Sequence, residues 1–116
     1  MLLDRYDLED ERACNLAYLN VLKSLQSNPS SAPFWRAVSS FEAPEYRNII
    51  SKPMDLGTIC KRVTSKFYGT NSESFREDVR LVWSNCREFN GEHDEITYVA
   101  TDLLTLSENL FLENSL

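Results

Sequence analysis

The stretch Ala43-Pro44-Glu45-Tyr46-Arg47-Asn48-Ile49-Ile50-Ser51-Lys52-Pro53-Met54-Asp55-Leu56-Gly57-Thr58-Ile59 decides how this chain is read. It is a proline-punctuated loop that carries a tyrosine and runs into a helix. Far downstream, Asn85-Cys86-Arg87-Glu88-Phe89-Asn90 ends on an asparagine directly ahead of Gly91. A loop with a tyrosine, packed over helices and facing an amide at a helix end, builds a small neutral pocket. Asp55, after Pro53-Met54, is the expected N-cap of the helix that begins at Leu56.

Outward from this stretch the pattern is helical, and strand alternation is weak. Cys14, Tyr18, Val21, Leu22 and Leu25 form one stripe, preceded by an acidic first turn at Asp7, Glu9, Asp10 and Glu11. Negative charge suits a helix start. Asn28-Pro29 ends this helix. A second stripe is Leu56, Ile59, Cys60, Val63 and Phe67, stopped by Tyr68-Gly69. Thr70-Asn71-Ser72-Glu73 has capping spacing, with Thr70, Asn71 and Ser72 all open as the cap. The third stripe is Phe75, Val79, Val82, Cys86 and Phe89. A fourth helix, capped by Asp94, carries Ile96, Val99, Ala100, Leu103, Leu106 and Leu110. Four helices with one apolar face each predict an all-α four-helix bundle. The connection from about Asn28 to Met54 is long, and loops of that kind are usually functional. It holds Phe34, Trp35, Val38, Phe41, Tyr46, Ile49 and Ile50, so it is expected to pack back onto one end of the bundle, with a short helical turn near Glu45 to Asn48.

The 116 residues suit one domain, 42% of them hydrophobic and 11% aromatic. No apolar run approaches membrane-spanning length, and the charged start is no secretory h-region. Cys14, Cys60 and Cys86 form no Cys-x-x-Cys pair and read as buried free thiols in a reducing compartment. His93 is the sole histidine, in a polar acidic stretch, so neither a metal site nor a cofactor is expected. The formal net charge of −6 argues against direct nucleic-acid binding and is compatible with a basic partner.

An acetylated lysine presents a flat neutral amide on a four-carbon stem. Reading it takes an apolar slot and one well-placed donor for the carbonyl. Such a slot rejects free lysine, because burying an unpaired ammonium costs at least several kcal/mol. Asn90 can be that donor. Tyr46 can reach the ligand through a bridging water. Phe34, Val38 and Ile96 can form walls.

Taken jointly, these residues resemble the bromodomain family over nearly the whole chain, about Asp7 to Leu110. Pro33-Phe34 followed by Val38 resembles the family's shelf and first wall. Ala43-Pro44-Glu45-Tyr46 resembles its Pro-Asp-Tyr element. Ile49-Ile50-x-x-Pro53-Met54-Asp55-Leu56-x-x-Ile59 is close to its most specific string. Phe75-x-x-Asp78-Val79-x-Leu81 and Asn85-Cys86-x-x-Phe89-Asn90 match its third helix, with Ile96 at the gatekeeper place and Asn85 structural. The resemblance implies a left-handed four-helix bundle, a single domain over 1–116 with its core at about 7–112, and a set of acetyl-lysine-binding residues: Pro33, Phe34, Val38, Ala43, Tyr46, Phe89, Asn90 and Ile96. It also implies a non-catalytic, nuclear reader of acetylated histone tails or other acetylated proteins, monomeric as an isolated domain. Departures from the family pattern are Ala32 where some subfamilies carry tryptophan, Phe89 and Arg47 where tyrosines are frequent, the small Ala43, and a short loop between Val38 and Pro44. They define the alternative expectation, a bundle of this fold that no longer reads acetyl-lysine and binds protein through its surface. An enzyme is not expected, since no Glu-x-x-His pair exists and His93 is the only candidate base.

Overall fold

The helical stripes become helices with the expected order and nearly the expected ends. The computed structural model describes the backbone of residues 5–116 and the side chains from Asp10 onward, so Asp7 and Glu9 of the expected acidic turn lie outside the described side chains. The elements are α1 (Arg5–Ser27), a 3-10 segment (Pro29–Phe34), the short α2 (Tyr46–Ile49), α3 (Leu56–Thr64), α4 (Ser72–Asn90) and α5 (Glu95–Glu113). No strand occurs among the described residues. Each cap is local chemistry. Asp55 accepts from the Thr58 N–H at 2.7 Å and from its hydroxyl at 2.8 Å. Asn71, one of the three candidates, accepts from Ser74 N–H, and Asp94 accepts from Ile96 N–H. Such caps satisfy donors that a helix start leaves orphaned, each for about 1 kcal/mol.

The bundle is all-α and elongated, 48 × 28 × 19 Å. Its core is built on Tyr18, Phe75 and Phe111, all essentially inaccessible to solvent. Tyr18 stacks on Phe75 with centroids 4.5 Å apart, and Tyr68 meets both rings edge-on. Burying each such side chain contributes about 1.5–3 kcal/mol. Between α4 and α5, the Trp83 indole N–H donates to Ser107 Oγ at 3.1 Å, which donates to the Leu103 carbonyl. Both polar groups are therefore satisfied inside the apolar interface.

Three expectations are corrected. The second stripe does not run on to Phe67, and Tyr68-Gly69 is not its stop. α3 ends at Thr64 because Lys66 takes a left-handed φ of 63° and the Phe67 N–H reaches back to the Arg62 carbonyl at 2.9 Å. Phe67 is left outside the core, with the Arg62 guanidinium 4.7 Å from its ring centroid. Cys14 and Cys60 are only half-buried; Cys86 alone of the three is buried. The long connection folds back through Phe34, Tyr46 and Ile50, whereas Val38, Phe41 and Ile49 stay exposed.

That connection is held at defined points. The 3-10 segment, capped by Asn28, delivers Phe34 edge-on against Trp83 with centroids 5.0 Å apart. Asn85, buried on α4, donates to the Lys52 carbonyl at 2.8 Å. Gly57 lies so close to the loop that an added Cβ would sit 2.4 Å from the Trp35 carbonyl oxygen. These contacts fix the loop over one end of α4 and α5.

Candidate functional site

At that end lies a cavity of about 250 Å³. Its lining includes every expected site residue: Pro33, Phe34, Val38 and Ala43 from the connection, Tyr46 from α2, Phe89 and Asn90 from α4, and Ile96 from α5. Arg36, Glu42, Met54, Asp55, Val82 and Cys86 also line it and were not anticipated. A helical signal was available for two of these. Val82, Cys86 and Asn90 recur at i, i+4, i+8 along α4, so they share one face. Met54 and Asp55 were read as loop end and cap, and both roles hold while the same residues close the cavity. Trp35, three residues after Ala32, does not line the cavity. Its indole N–H turns to Ser31 Oγ at 3.0 Å, and the ring packs against the core rather than the cavity.

Asn90 is the last residue of α4, and Gly91 behind it has φ 87°, which releases the chain into the turn. The Asn90 side-chain amide donates to the Cys86 carbonyl at 3.0 Å and to the Cys86 sulfur at 3.6 Å. These bonds orient the amide, which carries two hydrogens and an acceptor oxygen. The opposite wall is set by the next helix. The Cys86 thiol donates to the Ile96 carbonyl, and the Thr97 hydroxyl donates to the Gly91 carbonyl at 2.6 Å. These contacts tie Ile96 to the end of α4.

The interior is mostly apolar, with the Asp55 carboxylate its one buried charge. Tyr46 is 7% exposed and meets Phe89 edge-on at 4.9 Å between centroids. Burial raises the pKa of its hydroxyl, and the negative charge of Glu88 and Asp55 adds to the effect. Burial likewise pushes the Cys86 thiol up, opposed by the hydrogen bond from Asn90. Both groups stay protonated at neutral pH. The carboxylate of Asp55 is already engaged by Thr58. The two remaining charged lining residues, Arg36 and Glu42, are exposed. A slot of this size suits one extended side chain rather than a drug-sized ligand.

A larger space of about 510 Å³ lies between α4 and α5, over Trp83, Ala100 and Leu104 and crossed by the Arg80–Glu108 ion pair. It holds none of the expected residues. The smaller cavity has the convergent amide, hydroxyl and apolar walls, and chemistry rather than volume singles it out. No described helix is long and apolar enough to cross a membrane.

A sequence model of the bromodomain family matches residues 18–102. The chain is 44% identical over 73 residues to histone acetyltransferase GCN5 of Yarrowia lipolytica, covering 63% of this chain and 16% of that protein. It is 34% identical over 97 residues to bromodomain-containing factor 1 of Candida albicans, covering 82% of this chain and 13% of that protein. The bromodomain of human BAZ1A superposes with a TM-score of 0.80 at 30% identity, over 86% of this chain and 92% of that one. The chain thus spans a small part of the curated relatives it matches.

Proposed function

The chain belongs to the bromodomain family, and from that membership we propose that it binds acetylated lysine, on histone tails or other acetylated proteins, as a non-catalytic reader. The observation that carries this reading is Asn90: an amide oriented by Cys86, standing in a mostly apolar cavity that also holds Tyr46. The Asn90 N–H receives the acetyl carbonyl. Tyr46 holds a bridging water. Phe34, Val38, Phe89 and Ile96 enclose the stem and methyl, with Pro33 and Ala43 completing the wall. An unmodified lysine would bring an ammonium into a slot whose buried carboxylate, Asp55, is already engaged by Thr58, with Glu42 exposed at the rim, so desolvation discriminates against it.

The module is a single domain with its core at about 7–112, monomeric in isolation. The names of its relatives, a histone acetyltransferase and a bromodomain-containing factor, support a nuclear, chromatin-associated setting. The acetyltransferase activity in one of those names is not carried over, because the match covers 16% of that protein. One side chain buries little area, so affinity is modest and function draws on neighbouring domains or several marks. The open cavity with its full lining weighs against the surface-only scaffold.

The test is a calorimetric or NMR titration of acetylated and unmodified histone-tail peptides, with Asn90→Ala alongside. Acetyl-dependent binding is expected, and the variant should lose roughly 1–3 kcal/mol of it. Equal binding by the variant would refute the role of Asn90. No acetyl-dependent response from the folded wild type would refute the reader function.

A further inference from the structure

The connection that roofs the cavity carries the most exposed large apolar side chain among the described residues. Phe41 is 95% exposed, against 76% for the next, Leu112. A single exposed apolar residue is ordinary on a protein surface; the position of Phe41 is what sets it apart. The Ala43 N–H donates to the Ser39 carbonyl at 3.0 Å, and the Glu42 N–H donates to Ser39 Oγ at 3.0 Å. This closed turn holds Phe41 between Val38 on one side and Glu42 and Ala43 on the other, and those three residues line the cavity. Phe41 is not itself part of the lining, but it is the chain neighbour of Glu42, which is, so it belongs to the turn at the cavity rim. Glu42 is exposed and forms no ion pair among the described residues.

We infer that Phe41 and Glu42 form a second recognition point, which receives a cationic side chain (arginine or unmodified lysine) close in sequence to the acetyl-lysine held in the cavity. This rests on the acetyl-lysine reading of the cavity. A ring face attracts a guanidinium or ammonium, and the aliphatic stem of such a side chain covers the ring. The adjoining carboxylate selects the cation over an apolar neighbour. An apolar side chain on Phe41 would strip water from Glu42 without replacing it, whereas a cation repays that desolvation. The net charge of −6 draws such a peptide in, although Arg36, also on the rim, confines the attraction to the Glu42 side.

The experiment compares three probes on the wild type, Phe41→Ala and Glu42→Gln: capped acetyl-lysine amide alone, a short peptide with arginine beside the acetyl-lysine, and the same peptide with norleucine in place of arginine. Dissociation constants come from NMR titration. The wild type is expected to favour the arginine peptide roughly fivefold, and each variant to lose about two- to fivefold of that preference. Phe41→Ala should bind the capped amide like the wild type, because Phe41 does not line the cavity, while Glu42→Gln, which alters a lining residue, is read by the ratio of its affinities for the arginine and norleucine peptides. Equal affinity for the two peptides, preference for norleucine, or an unchanged arginine preference in Phe41→Ala would overturn the inference while leaving the cavity's role standing. Failure of the wild type to bind the capped amide and both peptides would instead sink the acetyl-lysine reading, and this inference with it.

Discussion

Asp78 shows how much one residue can carry. A single oxygen, Oδ2, accepts from the Arg62 guanidinium at 2.7 Å and from the Tyr68 hydroxyl at 2.6 Å, on a residue only 5% exposed. Burial, and then this hydrogen bond, lift the Tyr68 pKa well above the usual phenol range. Removing the carboxylate strands both donors. Asp78→Ala should therefore cost about 2–4 kcal/mol, read as a lower denaturation midpoint with an unchanged slope. A loss below about 0.5 kcal/mol would put it among ordinary surface changes and remove Asp78 from the framework. Asn90 makes a different contribution, because it is exposed and its amide serves the cavity rather than the core. Its candidacy was legible in the sequence only jointly, through Tyr46, Pro53 and Ile96 at their spacings. Trp35 was not legible at all: the Ser31 hydroxyl decides where its indole turns, and sequence spacing is silent on that.

Among the elements, α3 is the piece on which the loop rests. Its start is written locally, by Asp55 and the proline two residues before it. Its end is not, since a left-handed Lys66 did what a glycine was expected to do. The contact of its first turn with the loop shows up at Gly57. By helix propensity alone Gly57→Ala should stabilise by up to about 1 kcal/mol. The added methyl, however, meets the Trp35 carbonyl oxygen at 2.4 Å, and that atom is backbone. We expect a net loss of about 1–3 kcal/mol in thermal or chemical unfolding, with weakened acetyl-peptide binding because the loop lining moves. A more stable Gly57→Ala with intact binding would mean that the loop yields freely.

At the scale of the whole molecule, stability should depend on pH through carboxylates held by arginines across and along helices. Arg80 clamps Glu108 between α4 and α5 with N–O distances of 2.6 and 2.9 Å, and Glu73 pairs with Arg76. Both carboxyls titrate below the ordinary value of 4.5, in each case first through the hydrogen bond from arginine. A lowered folded pKa means the contribution is complete above pH 4.5 and is lost as pH falls through the folded value. Melting curves from pH 6 to 3 should show this loss. Glu108→Gln should flatten it, while costing less than about 1 kcal/mol near neutrality because the pair is substantially exposed. An unchanged acid slope would show the clamp to be inert. The architecture needed little more than the sequence. Apolar stripes at helical spacing, capping side chains at Asp55 and Asp94, and glycine at the end of α4 are each decided within a few neighbouring residues, so the order of the helices was readable from one end to the other. Even the cavity's principal residues could be named, because the family pattern ties Tyr46 to Asn90 and Ile96. The fold alone decided the rest: which loop aromatics turn inward, that Trp35 joins the core while Phe41 stands clear of it, and that Val82, Cys86 and Met54 close the cavity. Those outcomes depend on contacts between residues far apart in the chain, and a side chain takes its direction from whichever distant partner the packing brings to it.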